Sequence, residues 1–241
     1  MKSEYVLPLT IVVAGLLIAG AVFLTGKNGA TPAPNNGDSA TQLAQKAPPV
    51  TSADHILGNP AAVVKVVEYY DLECPHCKLF NTTMHQVMDF YGQSGKVAWV
   101  SRPFPLAQLH SKAPKEAEAA ECAAEIGGNT AYWAYVDKLF SVTPSENGLD
   151  LAQLPVIAGQ VGVDVNKFNT CLNSGKYASY VQQSYTDAIN AGGQGTPFIL
   201  ITFNGGAIPL EGDQPYDSMR AAIDAALAQV PASATATTTA H

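Results

Sequence analysis

The sequence predicts an α/β domain with a helical insertion between its second and third strands, and three observations carry that reading. The runs "VVKVVEYY" (63–70), "KVAWVSRPFPL" (96–106) and "PFILITFNGG" (197–206) are short, β-branched and aromatic, the composition of strands. Between the second and third of them the chain follows a helical hydrophobic period, through "KEAEAAECAAEIG", "AYWAYVDKLF", "DLAQLPVIAGQVG", "VNKFNTCLNS" and "YVQQSYTDAINA". A further helical run, "YDSMRAAIDAALAQV", follows the third strand and a short strand near Ile208. This order describes a sheet layered with helices.

The flanks read differently. Residues 5–24, "YVLPLTIVVAGLLIAGAVFL", carry no charge and as a helix would span about 30 Å, the thickness of a bilayer's hydrocarbon core. Residues 1–25 are therefore expected to form a single-pass membrane anchor, with the folded domain on the extracytoplasmic (periplasmic or extracellular) side. A cleaved signal peptide is the alternative, although its apolar region would be only about 7 to 15 residues long. Residues 26–51 are rich in Pro, Ala, Asn, Gly and Ser and read as a flexible linker. The tail 231–241 has the same character, which leaves 52–230 as the folded unit with its insertion at about 108–192. With 47% hydrophobic and 14% charged residues among 241, that unit can fill a core. Thirteen Lys and Arg against twenty Asp and Glu give a net charge of −7, which supplies no basic patch for a phosphate backbone.

The chemistry concentrates in "ECPHCKLF" (73–80). Four cysteines are present, and only Cys74 and Cys77 are close in sequence. Neither Cys122 nor Cys171 has a neighbour at zinc-ligand spacing. Lys78 stands where covalent haem attachment needs a histidine, and a bridge closing so short a loop removes little unfolded-chain entropy. Redox chemistry fits better, although a metal-handling or binding module built on the cysteines stays open as the non-enzymatic alternative. If Glu68 and its neighbours form a strand and Pro75 opens a helix, Cys74 sits at the helix N-terminus. Unpaired N–H groups and the macrodipole favour a thiolate there. His76 is expected to add a donor close to that sulfur. Cys77 would lie one turn further in, shielded, as the resolving thiol.

With these residues the chain resembles the DsbA-like thiol:disulfide interchange proteins of the thioredoxin superfamily. The CPHC motif carries the resemblance, with "CAAEIGGNTAYWAYVDKLF", "FNTCLNSGKY" and "GQGTPFILI", over nearly all of 52–230. It implies a thioredoxin-like fold, a protein thiol-disulfide oxidoreductase, and no cofactor beyond the redox-active disulfide. It implies that Pro197 is a cis-proline facing the cysteines, and that Thr196 offers backbone groups to an extended substrate peptide. It also implies that Glu68 is a buried acid exchanging a proton with Cys77, the plainer alternative being a strand residue on a solvated face. Glu73 departs from the apolar residue expected beside Cys74, and a carboxylate there would raise the thiol's pKa.

Leaving-group chemistry favours an oxidase, because a stabilised Cys74 thiolate makes the disulfide the less stable form. An isomerase or reductase on the same fold is the alternative. The partners expected are substrate proteins with free cysteines and, by resemblance, a quinone-linked membrane protein that reoxidises the pair. Family isomerases carry a dimerisation domain ahead of the catalytic one, and 26–51 is too short and polar for that, so a monomer is expected. In an oxidising compartment Cys122 and Cys171 are expected to form a structural disulfide worth about 4 kcal/mol. Two buried free thiols are the alternative. His55, His85, His110 and His241 share no spacing and read as surface residues.

Overall fold

A computed structural model of the chain describes residues 36–231. Its helices are α1 (Asn36–Ala44), α2 (Pro75–Tyr91), α3 (Ala113–Val142), α4 (Leu154–Gln160), α5 (Val165–Ser174), α6 (Ala178–Asn190) and α7 (Tyr216–Ala228). Its strands are β1 (His55–Gly58), β2 (Val64–Tyr70), β3 (Val97–Pro103), β4 (Phe198–Phe203) and β5 (Gly206–Glu211), in sheet order β1-β3-β2-β4-β5. β2 and β3 run parallel across the α2 connection, and the other neighbours are antiparallel. The fold is thioredoxin-like, and α3 to α6 form the insertion between β3 and β4.

Side chains alternate across a strand, and β2 distributes its residues accordingly. Val64, Val66 and Tyr70 enter one core with Phe80, Met84 and Val87 of α2 and Met219 and Ile223 of α7. Val67 and Tyr69 enter a second core with Val100, Leu200 and Ala188 of α6. Each fully buried apolar side chain contributes about 1.5–3 kcal/mol. Glu68 falls in the first set, so the one acid of the strand points towards α2 into the core. β3 alternates in step, placing Trp99 on that same face.

Three expectations are corrected. The four residues "HILG" form an edge strand, β1, where no strand was expected, because so short a run shows no alternation. The described part of the linker, residues 36–51, holds α1 and is docked to the domain. Arg102, 7% exposed, donates to Pro48 O (2.9 Å), Pro49 O (3.1 Å) and Asp54 Oδ1 (2.6 Å). Backbone carbonyls anchor this stretch, and apolar composition gives no sign of that.

The third correction concerns the membrane anchor. Residues 5–24 lie outside the described residues, and among the described residues no helix is long and apolar enough to cross a membrane. The longest, α3, carries Lys115, Glu116, Glu118, Glu121 and Glu125. A single-pass anchor is therefore not supported, nor is the location built on it. Residues 232–241, including His241, also lie outside the described residues.

Candidate active site

β2 ends at Tyr70, and after three intervening residues the chain enters α2 with Cys74 as N-cap in an extended conformation (φ −78°, ψ 121°) and Pro75 in the first turn. Proline costs nothing at that place, since its missing N–H would have no helical partner. Backbone bonds from Cys74 N to Asp71 O and from Lys78 N to Cys74 O, both 3.1 Å, hold the turn. Both cysteines are buried thiols. The Cys74 Sγ lies 3.4 Å from Thr196 O, immediately before the cis Thr196–Pro197 bond, so the loop ahead of β4 packs on the reactive sulfur. Gly212 N donates to Pro197 O (2.9 Å) and ties that loop to the end of β5.

The two sulfurs differ in their proton affinity. The Cys74 thiol is lowered to about 6, above all by a hydrogen bond from the Cys77 thiol. Burial opposes this, while the Thr196 side chain and the backbone N–H groups of Cys77 and His76 assist it. Cys77 is pushed well above the usual thiol range by burial first, then by the bond to Cys74 and the charges of Cys74 and Glu68. Its sulfur accepts from Asp71 N at 3.4 Å.

Glu68 is 2% exposed. Its Oε2 accepts from Trp99 Nε1 at 2.9 Å, and its Oε1 has no partner. Burial pushes its carboxyl up to about 8, with Trp99 opposing and the Cys74 charge adding. A carboxyl in that range can give or take a proton near neutrality.

Two expectations about neighbours change. The His76 imidazole is exposed and its Nδ1 lies 2.9 Å from Asp213 Oδ1, so His76 assists the Cys74 sulfur through its backbone N–H. Glu73 is fully buried, and its Oε1 accepts from Leu149 N (3.4 Å) while its Oε2 has no hydrogen-bond partner. Its side chain is thus engaged with the insertion.

Residues that the sequence did not single out complete the surroundings. Asp71 accepts from His110 Nδ1 (2.9 Å), Leu106 N (2.8 Å) and Glu73 N (2.8 Å), so His110 is a buried partner of the site. His55 is likewise drawn inward, stacked on Tyr132 with ring centroids 3.5 Å apart and paired with Glu121. The position of Asp71, an acid within the strand-to-helix turn, was the one available signal. Trp99, Glu116 and Asp213 come from distant parts of the chain and gave none. Away from the site, Cys122 and Cys171 form a disulfide that joins α3 to α5 across a sequence separation of 49. Among the described residues no group of three or more His, Cys, Asp or Glu could hold a metal ion.

A family model described as thioredoxin matches residues 50–225, the span that holds the sheet, the insertion and the cysteine pair. The chain belongs to the thioredoxin superfamily, on its DsbA-like branch. Among solved structures, DsbA2 of Pseudomonas aeruginosa is 26% identical with a TM-score of 0.61, covering 73% of this chain and 96% of that one. BdbD of Bacillus subtilis, in its oxidised form, gives a TM-score of 0.65 at 21% identity, covering 75% and 96%. A curated relative, Na(+)/H(+) antiporter NhaA 3 of Salinispora tropica, is 32% identical over 148 residues, which are 61% of this chain and 21% of the antiporter. The match thus spans about a fifth of that relative's length.

Proposed function

We propose that this protein is an oxidant of protein thiols, working in an oxidising environment and donating a Cys74–Cys77 disulfide to substrate proteins with free cysteines. The observation that carries the reading is the asymmetry of the pair, with Cys74 lowered to about 6 and Cys77 raised well above the ordinary range. A thiolate that is stable at neutral pH is a good leaving group, and its stability favours the dithiol over the disulfide.

In the forward direction a substrate thiolate attacks the Cys74 sulfur. The bond between Cys74 and Cys77 breaks, and its electron pair goes to the Cys77 sulfur. That sulfur is buried and strongly basic, so it takes a proton, and Glu68 is the acid placed to supply one. A second substrate thiolate then attacks the substrate sulfur of the mixed disulfide. Cys74 leaves as the thiolate held by the helix N-terminus and Thr196. The substrate gains a disulfide and the protein keeps two electrons, which a separate redox partner must accept. Thr196 and Pro197, packed on Cys74, are the backbone edge against which an extended substrate would lie. One chain supplies every group named, consistent with a monomer, and the Cys122–Cys171 bridge supports an oxidising environment.

The test is the equilibrium of the full chain with graded glutathione buffers, followed by acid quench and alkylation. A potential towards about −120 mV is expected of a disulfide donor, and a value near about −270 mV would make the protein a reductant.

A further inference from the structure

The turn between β2 and α2 holds a buried aspartate to which the exchange steps give no part. Asp71 is 1% exposed, and its N–H, its carbonyl and both carboxylate oxygens are all bonded inside the protein. Two of the bonds belong to its backbone and reach the cysteines. Asp71 N donates to Cys77 Sγ (3.4 Å), and Asp71 O accepts from Cys74 N (3.1 Å). The others converge on its carboxylate. Oδ1 accepts from Glu73 N (2.8 Å), and Oδ2 from Leu106 N (2.8 Å) and His110 Nδ1 (2.9 Å). The side chain therefore clamps the turn to its own next residues on one side and to the β3–α3 connection on the other.

That donor set suits a carboxylate and no neutral isostere. An ionised carboxylate accepts at both oxygens, whereas an amide accepts at one and donates at the other. An asparagine here would aim its NH2 at Glu73 N or at Leu106 N, donor against donor, in a site closed to water. What the clamp fixes is the place of Asp71 N. Burial, the bond to Cys74 and the charges of Cys74 and Glu68 all disfavour an anion on Cys77, and the Asp71 N–H is the group that favours one.

Cys77 carries that charge in only some of the exchange steps. When an outside thiolate attacks Cys74, the Cys74–Cys77 bond breaks, the electron pair goes to the Cys77 sulfur, and Glu68 supplies the proton. In the reverse step Cys77 returns its proton to Glu68, attacks the Cys74 sulfur of the mixed disulfide and expels the outside thiolate. Attack by the Cys74 thiolate on an outside disulfide puts no charge on Cys77.

We propose that Asp71 is a positioning residue for Cys77: its clamped carboxylate holds its own backbone N–H on the Cys77 sulfur, where that N–H stabilises the charge as the disulfide opens and as it closes. A donor fixed before the charge develops needs no reorganisation at the moment of reaction. Opening and closure share one transition state, and Cys77 is uncharged at neutral pH in the dithiol and in the disulfide. Both rates therefore change by one factor while the redox potential stays where it is. This deepens the exchange chemistry described above and rests on Cys74 as the sulfur that meets the outside thiol, whichever way the electrons flow.

The experiment uses the full chain and glutathione, with acid quench, alkylation and mass spectrometry to follow each species in time. Oxidised protein with reduced glutathione gives the rate of opening. Reduced protein with oxidised glutathione gives first the attack by Cys74 and then closure by Cys77. Asp71→Asn is expected to slow opening and closure about tenfold or more, the effect of one hydrogen bond to a charged sulfur. Attack by Cys74 and the equilibrium potential are expected to stay at the wild-type values, because the groups that hold the Cys74 thiolate belong to α2 and to the loop before β4. His110→Leu takes one donor from Oδ2 and should slow the same two steps about threefold. His110→Asn, whose side-chain N–H can stand where Nδ1 stands, should restore them, and this second pair covers a failure of Asp71→Asn to fold. Opening and closure at wild-type rates in Asp71→Asn or His110→Leu would overturn the proposal. So would a slowing that falls equally on attack by Cys74, which is what a merely loosened turn would give. A wild-type potential in the range of reductants would overturn the direction of electron flow proposed above and leave the role of Asp71 standing. Glutathione found on Cys77 in place of Cys74 would overturn both.

Discussion

The chain carries two cysteine pairs, and they differ in the features that govern a disulfide. Cys74 and Cys77 straddle a helix N-terminus, where backbone N–H groups and a neighbouring thiol stabilise one thiolate while burial suppresses the other. Cys122 and Cys171 lie in the interiors of α3 and α5, joined to each other, with no helix start near either sulfur. Reactivity is therefore a property of placement within the helix. The loop closed is also opposite in scale, a few residues in one case and 49 in the other. In the chain-entropy description the second pair can stabilise the fold and the first can do little.

The comparison can be broken in two ways. Cys74→Ser is expected to lower the rate of disulfide exchange with a dithiol peptide by about a thousandfold or more, since no other sulfur takes the attack. Cys122→Ala with Cys171→Ala should leave that rate within about twofold while lowering unfolding free energy by about 4 kcal/mol in a denaturant titration. If the double variant lost exchange instead, the division between the pairs would fail.

Glu68→Gln sharpens the contrast by touching only the first pair. The Glu68 carboxyl is raised from 4.5 to about 8 in the folded chain, so the folded state holds its proton more tightly than the unfolded one. The stability this contributes is fully present below about pH 4.5 and is lost as pH rises towards 8. Replacing it should therefore add stability of about 3 kcal/mol at neutral pH and nothing in acid, measured as the difference between unfolding curves at the two pH values. A gain independent of pH would mean that Glu68 is not titrating between those limits.

How much of this was legible in sequence depends on how local the cause was. The strand "VVKVVEYY", the N-terminal Pro75 and the CPHC spacing act within a few residues of one another, so the strand-to-helix turn and its two sulfurs could be read directly. The direction of Glu68 was left open between two faces, because alternation states which residues share a face and the core on that face is supplied by α2 and α7. The docking of 36–51 was hidden because it depends on a distant guanidinium, Arg102, meeting backbone carbonyls, and on a few small apolar residues, Ala44, Ala47 and Val50, meeting a core built elsewhere in the chain. The Asp71–His110 contact joins segments about forty residues apart. No spacing rule relates those, and a histidine or glutamate in a polar-looking helix start gives no sign that it will be buried. The membrane anchor was inferred from apolar length alone, a signal that reports hydropathy and not placement.

The interior of α3 poses a question of chirality. At Gly128 the backbone leaves the helix at φ 72° and ψ −170°, and a Cβ added there would meet nothing within 4 Å. Space is thus available to a side chain, but those angles belong to the region that only glycine visits among L-residues. Their mirror image is close to the extended polyproline conformation that L-residues adopt freely. The bend between the half of α3 that carries Cys122 and the half that carries Tyr132 and Trp133 is therefore closed to L-alanine by backbone conformation alone. D-alanine, introduced by chemical ligation, would fit it without strain.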